Sequence, residues 1–598
     1  MSDRIRSRAI FILLLLISSL FLNRASAQRM DRKGSPFDGL RWNQEAPEVL
    51  IGDEWFKPLT IQGIKVEEIL AFCGQQWPGQ LQERFGEDLV EAIVLMGHKL
   101  PEYVDLKLAT LADGEEVERN GVAVTRAKRE AIRRGIERQA PTNDQHREPE
   151  ELPRDQALED LAEFESKLEG RFAYQSLGDV DWKAELDEIR NDLPKVISVG
   201  DLARKLQLLM ARFMDGHASV RSEQVARPKW YPPFLLKDAE HGVVAIRPDR
   251  EGFLDPNHPY ILEIDGVSID QWVERSTATV AAGSAQLVRV RGLRYLRNLD
   301  RFRSAGDESK AGLVRVRLTN GKGATSVERE LSMVERRPIP ADWPFGRTGV
   351  LDGNVGYLRL GEMSDDLVPH LHEAMATFRE TKALIVDVRG NGGGSRSLLL
   401  AFAGYLIGPN DGPWVGNVAK YILSDDFGPD HLEARYMYRA ASKRWSQEQR
   451  ELIEGFADQF QVEWSPPEEF SEWHYFILDR TGHPSEYFYS KPVIVLSDAW
   501  CFSATDIFLG ALKGRPRVTI VGSASSGGSA RSRGFALRHS GIVVTCASMA
   551  SYRPDGRLYD GRGIEVDFEV KPQPEDFING GSDSVLEAAL ARLLETGD

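Results

Sequence analysis

The sequence predicts an α/β fold from about residue 350 onward, and three observations predict it. Largely apolar runs at 383–388, 493–496 and 518–521 read as buried strands. Helical periods lie beside them, at 366–379 and through Ile507, Ala511 and Leu512. Glycine-rich turns punctuate the joins, and strands alternating with helices imply a sheet with both faces covered. At 598 residues, 42% hydrophobic and 28% charged, the chain has the composition of a folded protein. That composition excludes a disordered chain, a collagen-like repeat and a multi-span membrane protein.

The elements before this region follow in order. Arg4, Arg6 and Arg8 precede an apolar stretch over 9–22, and Ala25-Ser26-Ala27 supplies small residues for cleavage. Residues 1–27 therefore read as a secretory signal, too short to span a bilayer comfortably. The protein is expected to be exported, to the periplasm or the extracellular space, with no stable membrane insertion after cleavage. Residues 28–138 read as a small α+β domain, with strands over 55–64 and a helix from Val66. Residues 126–138 read as a charged, solvated helix, and 139–154, with three prolines, as a linker. Residues 155–227 read as helical: Leu158, Leu161, Phe164 and Leu168 mark one apolar face, and Leu202, Leu206, Leu209 and Phe213 another. Residues 228–337 carry short strand-like runs between Gly and Pro turns. Within them ILEIDGVSIDQW resembles the strand–turn–strand of a PDZ domain, a peptide-binding module. Residues 338–598 form the α/β core, interrupted at 409–490 by a long aromatic stretch read as an irregular insertion.

Net charge is −16, and removing the leader's four Arg and one Asp leaves −19. A chain this acidic is not expected to bind nucleic acid, because nothing offsets phosphate repulsion. Cys73, Cys501 and Cys546 provide neither a disulfide framework nor zinc spacing. No cofactor or metal is expected: His370 and His372 would sit at i, i+2 on a helix and would not share a face. The sequence carries no signal for an oligomeric state.

Three constellations could carry chemistry. Ser503 follows the strand at 493–496 and begins a helix. From position alone a capping box with Asp506 is the favoured reading. The functional reading is a nucleophile beside free N–H groups and the positive helix end. The second is Asp387-Val388-Arg389-Gly390-Asn391-Gly392-Gly393-Gly394. It lacks the Gly-Lys-Ser/Thr ending of a phosphate loop, and Ser395 stands where a dinucleotide fingerprint needs its third glycine. An oxyanion loop fits better, and a tight turn stays open for any one glycine. The third is His217, in Asp215-Gly216-His217, where a lone histidine is more often structural than catalytic.

Taken in order, ALIVDVRGNGGG, KPVIVLSDAWCFSATDIFLGALKGRPRVTIVG and YDGRGIEVDFEV resemble the C-terminal-processing (tail-specific) serine peptidase family. The likeness runs from about 155 to 598. It implies a crotonase-like ββα-spiral core with a PDZ-like insertion and, for the protein, hydrolysis of proteins or peptides as a serine-type endopeptidase. Ser503 matches the family nucleophile. One branch places a lysine base 25 residues later, where this sequence has Gly528. Lys513 lies ten residues along the Ser503 helix, about 15 Å away at 1.5 Å per residue. The resemblance is closer to the tricorn-core-like branch, whose histidine base matches His217. That branch's glutamate matches Asp560, with aspartate for glutamate and Val566 for proline. Gly392 or Gly393, with Ala504, would form the oxyanion hole. A histidine base implies activity that falls on acidification near pH ~6–7. The alternative is a catalytically inactive relative that binds peptides.

Overall fold

A computed structural model describes residues 34–595, apart from 77–80, 133–147, 304–311, 322–324, 339–342, 481–486 and scattered single or paired positions. The signal segment, most of the charged helix at 126–138 and most of the linker lie outside the described residues. Contacts divide the chain into two compact units, up to Arg147 and from Glu148 onward.

The first unit is an antiparallel sheet, in the order Gly39–Asn43, Ala46–Ile51, Glu54–Ile61, Tyr103–Thr110, Glu116–Ala123. Helices Val66–Gln76, Leu81–Glu87 and Leu89–Leu95 sit between its third and fourth long strands. Phe37, Val49, Phe56, Ile69, Phe85 and Val104 form its core.

The second unit opens with helices Arg154–Arg171, Trp182–Asn191 and Val199–Met210. Their buried residues include Leu161, Phe164 and Leu168, then Leu202, Leu206 and Leu209, so the apolar spacing marks the packed faces. Ser198 caps the last of these by accepting from the Asp201 N–H at 3.0 Å. A β-rich segment follows, its antiparallel sheet running Leu235–Ala239, Gly242–Ile246, Tyr260–Ile264, Leu313–Thr319, Ser326–Ser332. Helices Ile269–Thr277 and Ala285–Tyr295 pack beside it around Trp272.

The α/β region centres on parallel strands Val355–Arg359, Ala383–Asp387, Val493–Ser497, Val518–Gly522 and Phe568–Glu569, with Gly349–Leu351 antiparallel at one edge. The second and third are buried at every position, and their first four residues are all apolar. The stretch at 409–490 is not irregular. Its strands Trp414–Tyr421, Tyr438–Arg439 and His474–Leu478 pair with each other and with Met549–Tyr552 in a second sheet, and it carries helix Gln447–Ala457. A third sheet joins Ser219–Arg221 to Val543–Ala547 and Ser532–Ala536. It ties the chain just after His217 to the region before Asp560.

Candidate active site

Ser503 precedes helix Ala504–Leu512, which is buried along its whole length. Its hydroxyl makes no capping hydrogen bond. The capping box favoured from sequence is therefore half absent. Asp506 accepts the Ser503 N–H, but its carboxylate is also taken by the Ser525 hydroxyl at 2.5 Å and the Gly527 and Gly528 N–H groups at 2.9 and 3.1 Å. Ser503 also has φ +62°, ψ −118°, a left-handed backbone costly for a residue with a Cβ. Strain of this kind persists only where surrounding contacts impose it.

Those contacts come from the glycine loop. Arg389 is buried between Asp387, at 2.6 Å, and Asp583, at 2.7 Å, and fixes where the loop leaves its strand. Asn391 pins the loop to the helix start. Its backbone carbonyl accepts the Phe502 N–H at 3.1 Å, and its Oδ1 accepts the Thr505 hydroxyl at 2.8 Å and the Gly393 N–H at 2.9 Å. Gly393 lies against the serine: a Cβ added there would stand 2.6 Å from Ser503 Cβ and 2.6 Å from the Phe502 carbonyl oxygen. Of the two glycine N–H groups implied for an oxyanion hole, that of Gly393 is already given to Asn391. No hydrogen bond engages the Gly392 or Ala504 N–H among the described residues.

His217 follows Asp215 in a turn in which Asp215 Oδ1 accepts the His217 N–H and Oδ2 the Ala547 N–H, at 2.9 and 2.8 Å. The His217 ring packs at a tilt against Phe502, the residue before Ser503, with centroids 4.5 Å apart. The half-buried Arg291 guanidinium lies 4.7 Å from the Phe502 ring centroid and donates to the Gly216 carbonyl at 2.6 Å. Arg291 comes from the β-rich segment. From its helix, Ser284 donates to the Ser526 carbonyl at 2.6 Å and Gln286 to the Ser525 carbonyl at 2.7 Å.

Asp215, His217 and Asp560 each bring one ligand-type atom within 4.8 Å of the others. Asp560 Oδ2 accepts the Tyr174 hydroxyl at 2.9 Å and the Ser529 N–H at 3.4 Å. Asp560 Oδ1 and His217 Nδ1 are both buried without a partner. Burial, then the positive charges of Arg291 and Arg435, push the His217 imidazole down to about 3. Burial raises Asp215 to about 6, and burial with the neighbouring Asp215 charge raises Asp560 to about 8. The arrangement can hold a neutral imidazole facing a carboxyl group. It suits a metal poorly, since both Asp215 oxygens and Asp560 Oδ2 already accept N–H or O–H donors, against the three or four protein ligands of a zinc site.

Gly528, where one branch of the resembling family has lysine, cannot carry a side chain here. A Cβ would lie 2.2 Å from Phe502 Cε2, and the Gly528 N–H is committed to Asp506. Lys513 is ion-paired with Asp567 at 2.5 Å, rather than facing only the helix end. His372 hydrogen-bonds Tyr405 at 2.7 Å. Sequence reasoning gave no role to Asp215, Tyr174, Arg291 or Asn391. Asp215 and Asn391 stood inside quoted motifs, whereas nothing local marks Tyr174 or Arg291.

Residues 354–570 match the model of Peptidase family S41. That stretch holds the parallel strands, the glycine loop, Ser503 and Asp560. No curated protein matches the chain. Among solved structures, mature CPAF is 18% identical with a TM-score of 0.53, over 74% of this chain and 99% of that one. Mature CPAF complexed with lactacystin gives 17% and 0.51, over 74% and 97%. This chain and these structures share a fold over that length.

Proposed function

We propose that this protein is an exported serine-type endopeptidase that cleaves protein or peptide substrates through an acyl-enzyme on Ser503. Its core is read as crotonase-like, and residues 228–337 as a PDZ-like peptide-binding insertion. The observation that carries the reading is the strained, uncapped Ser503 held against the Gly393 loop. The S41 match over 354–570 supports the reaction class.

In the mechanism, neutral His217 takes the Ser503 hydroxyl proton as the oxygen bonds to the substrate carbonyl carbon. The carbonyl oxygen becomes an oxyanion and accepts from the Gly392 and Ala504 N–H groups. The imidazolium gives its other N–H to Asp560 Oδ1, which must be ionised. Collapse breaks the C–N bond, and the amine leaves with the proton from His217. Water then repeats the sequence on the acyl-enzyme and releases the acid.

The test is labelling with a fluorophosphonate. Wild-type protein is expected to label and Ser503→Ala to be silent while folding normally. A folded Ser503→Ala protein that still cleaves peptide would refute the nucleophile. The second reading, a peptide-binding relative without turnover, draws on the unjoined His217 Nδ1 and Asp560 Oδ1. It predicts no label in either protein.

A further inference from the structure

Four arginines gather beside the glycine loop from three separate segments. Arg396 directly precedes helix Ser397–Leu406, on the far side of the loop. Arg435 ends the short helix Glu433–Arg435 in the 409–490 stretch. Arg531 and Arg533 lead into and along strand Ser532–Ala536. Arg435 Nη1 is 3.5 Å from the Gly394 carbonyl oxygen, and Arg396 Nη1 donates to the Arg435 carbonyl at 3.3 Å. Arg396 is buried, and its Nε has no partner.

No carboxylate lies in ion-pair range of any of the four among the described residues. This contrasts with Arg389, Arg303 and Arg553, each of which is paired with two acids. The four instead repel one another. Arg435 lowers Arg396, Arg533 and Arg435 lower Arg531, and Arg533 lowers Arg435, each after burial. His431, among them, is held neutral by burial and by Arg531 and Arg533. A protein with net charge −16 has ample acid to pair these groups, and the fold leaves them without it. Partly desolvated cations kept apart from carboxylates are matched by carboxylates that arrive with a ligand.

The reach is short. Gly394 adjoins Gly393, which abuts Ser503. One peptide residue spans about 3.3–3.6 Å, so a group bonded to Arg435 sits within about three residues of the scissile bond. Several positive charges also call for more than one negative charge. We infer that this arginine rim is a substrate subsite, and that the peptidase selects acidic segments, carrying two or more carboxylates within about three residues of the cleaved bond. The inference rests on the proposed serine peptidase reading and specifies its substrate class.

The experiment uses full-length Ser503→Ala protein and fluorescein-labelled peptides of one backbone, read by anisotropy. The peptides carry paired Glu or paired Gln beside the central bond, each with a free or an amidated C-terminus. The Glu peptides are expected to bind at least about tenfold tighter than the Gln peptides, with the ratio collapsing between 50 mM and 500 mM salt. Arg531→Gln with Arg533→Gln should bring the ratio toward one. Arg533→Gln alone, at an exposed position, should lower it without threatening the fold. Equal binding of Glu and Gln peptides overturns the inference. Discrimination that follows amidation alone also overturns it, since the rim would then read a chain end. Fluorophosphonate labelling of the wild-type protein is run in parallel, so failure of the subsite and failure of the peptidase reading are told apart.

Discussion

Asp560→Asn should inactivate the protein and at the same time stabilise it at alkaline pH. Burial, then the neighbouring Asp215 charge, push the carboxyl group of Asp560 up from its ordinary 3.8 to about 8. A raised acid pKa destabilises the fold as pH rises. Between pH ~4 and ~8 the folded protein holds a proton that the unfolded chain has lost, so stability falls by about 1.4 kcal/mol per pH unit, about 6 kcal/mol across the interval. Asparagine removes this loss, while Asp215 and Asp506 carry the same sign and remain in both proteins. Asparagine can still accept the Tyr174 hydroxyl, but its NH2 would face His217 Nδ1. That fixes the imidazole proton on the other nitrogen, which can then no longer act as base, with a loss of about 10³–10⁴ in turnover. The assays are apparent melting temperature at half-unit steps from pH 5 to 9, and casein hydrolysis over the same range. The melting curves should lie closest at pH 5 and separate progressively, by several degrees, toward pH 9, the variant being higher. Wild-type turnover should fall on acidification below about pH 8, where Asp560 becomes neutral, and not near the pH ~6–7 of an isolated histidine. Parallel stability curves, or full activity in Asp560→Asn, would refute the reasoning.

Gly393→Ala should cost about 1–3 kcal/mol by overpacking, at φ +98° and with its Cβ against Ser503. It should lower turnover at least about 100-fold by displacing the nucleophile, as read by kcat/KM beside a urea titration. Lys513→Met should keep full activity and lose no more than about 1 kcal/mol, because Asp567 retains the Ile520 N–H at 2.7 Å. Abolished turnover in a folded Lys513→Met protein would revive a lysine base. Dialysis against a chelator should leave casein hydrolysis unchanged, and loss restored by zinc would reassign Asp215, His217 and Asp560 as ligands.

The parallel strands were legible because a strand covered on both faces must be apolar along its length, as 383–386 and 493–496 are. The glycine loop was legible for a related reason: close approach to Ser503 leaves room for nothing larger at 393. Ser503 itself was ambiguous, since a cap and a nucleophile share the same sequence position. The difference lies in a backbone dihedral imposed by Asn391, more than a hundred residues upstream. The 409–490 stretch was misread because its strands find their outer partner at 549–552, beyond any local window. Tyr174 and Arg291 were invisible for the same reason, each reaching the site from another layer of the fold. The arginine rim is assembled from three segments, and no single one of them looks basic.

Arg389 has a consequence for how such a protein is made. It stands where the glycine loop begins, yet half of its neutralising charge comes from Asp583, far along the chain. Until Asp583 has emerged from the ribosome, Arg389 lacks one of its two acids, and burying it underpaired is costly. A nascent chain stalled before that point can hold the serine, the histidine and the loop without locking them together. A chain that ends before Asp583 is therefore expected to hold the loop, and the serine against it, less firmly.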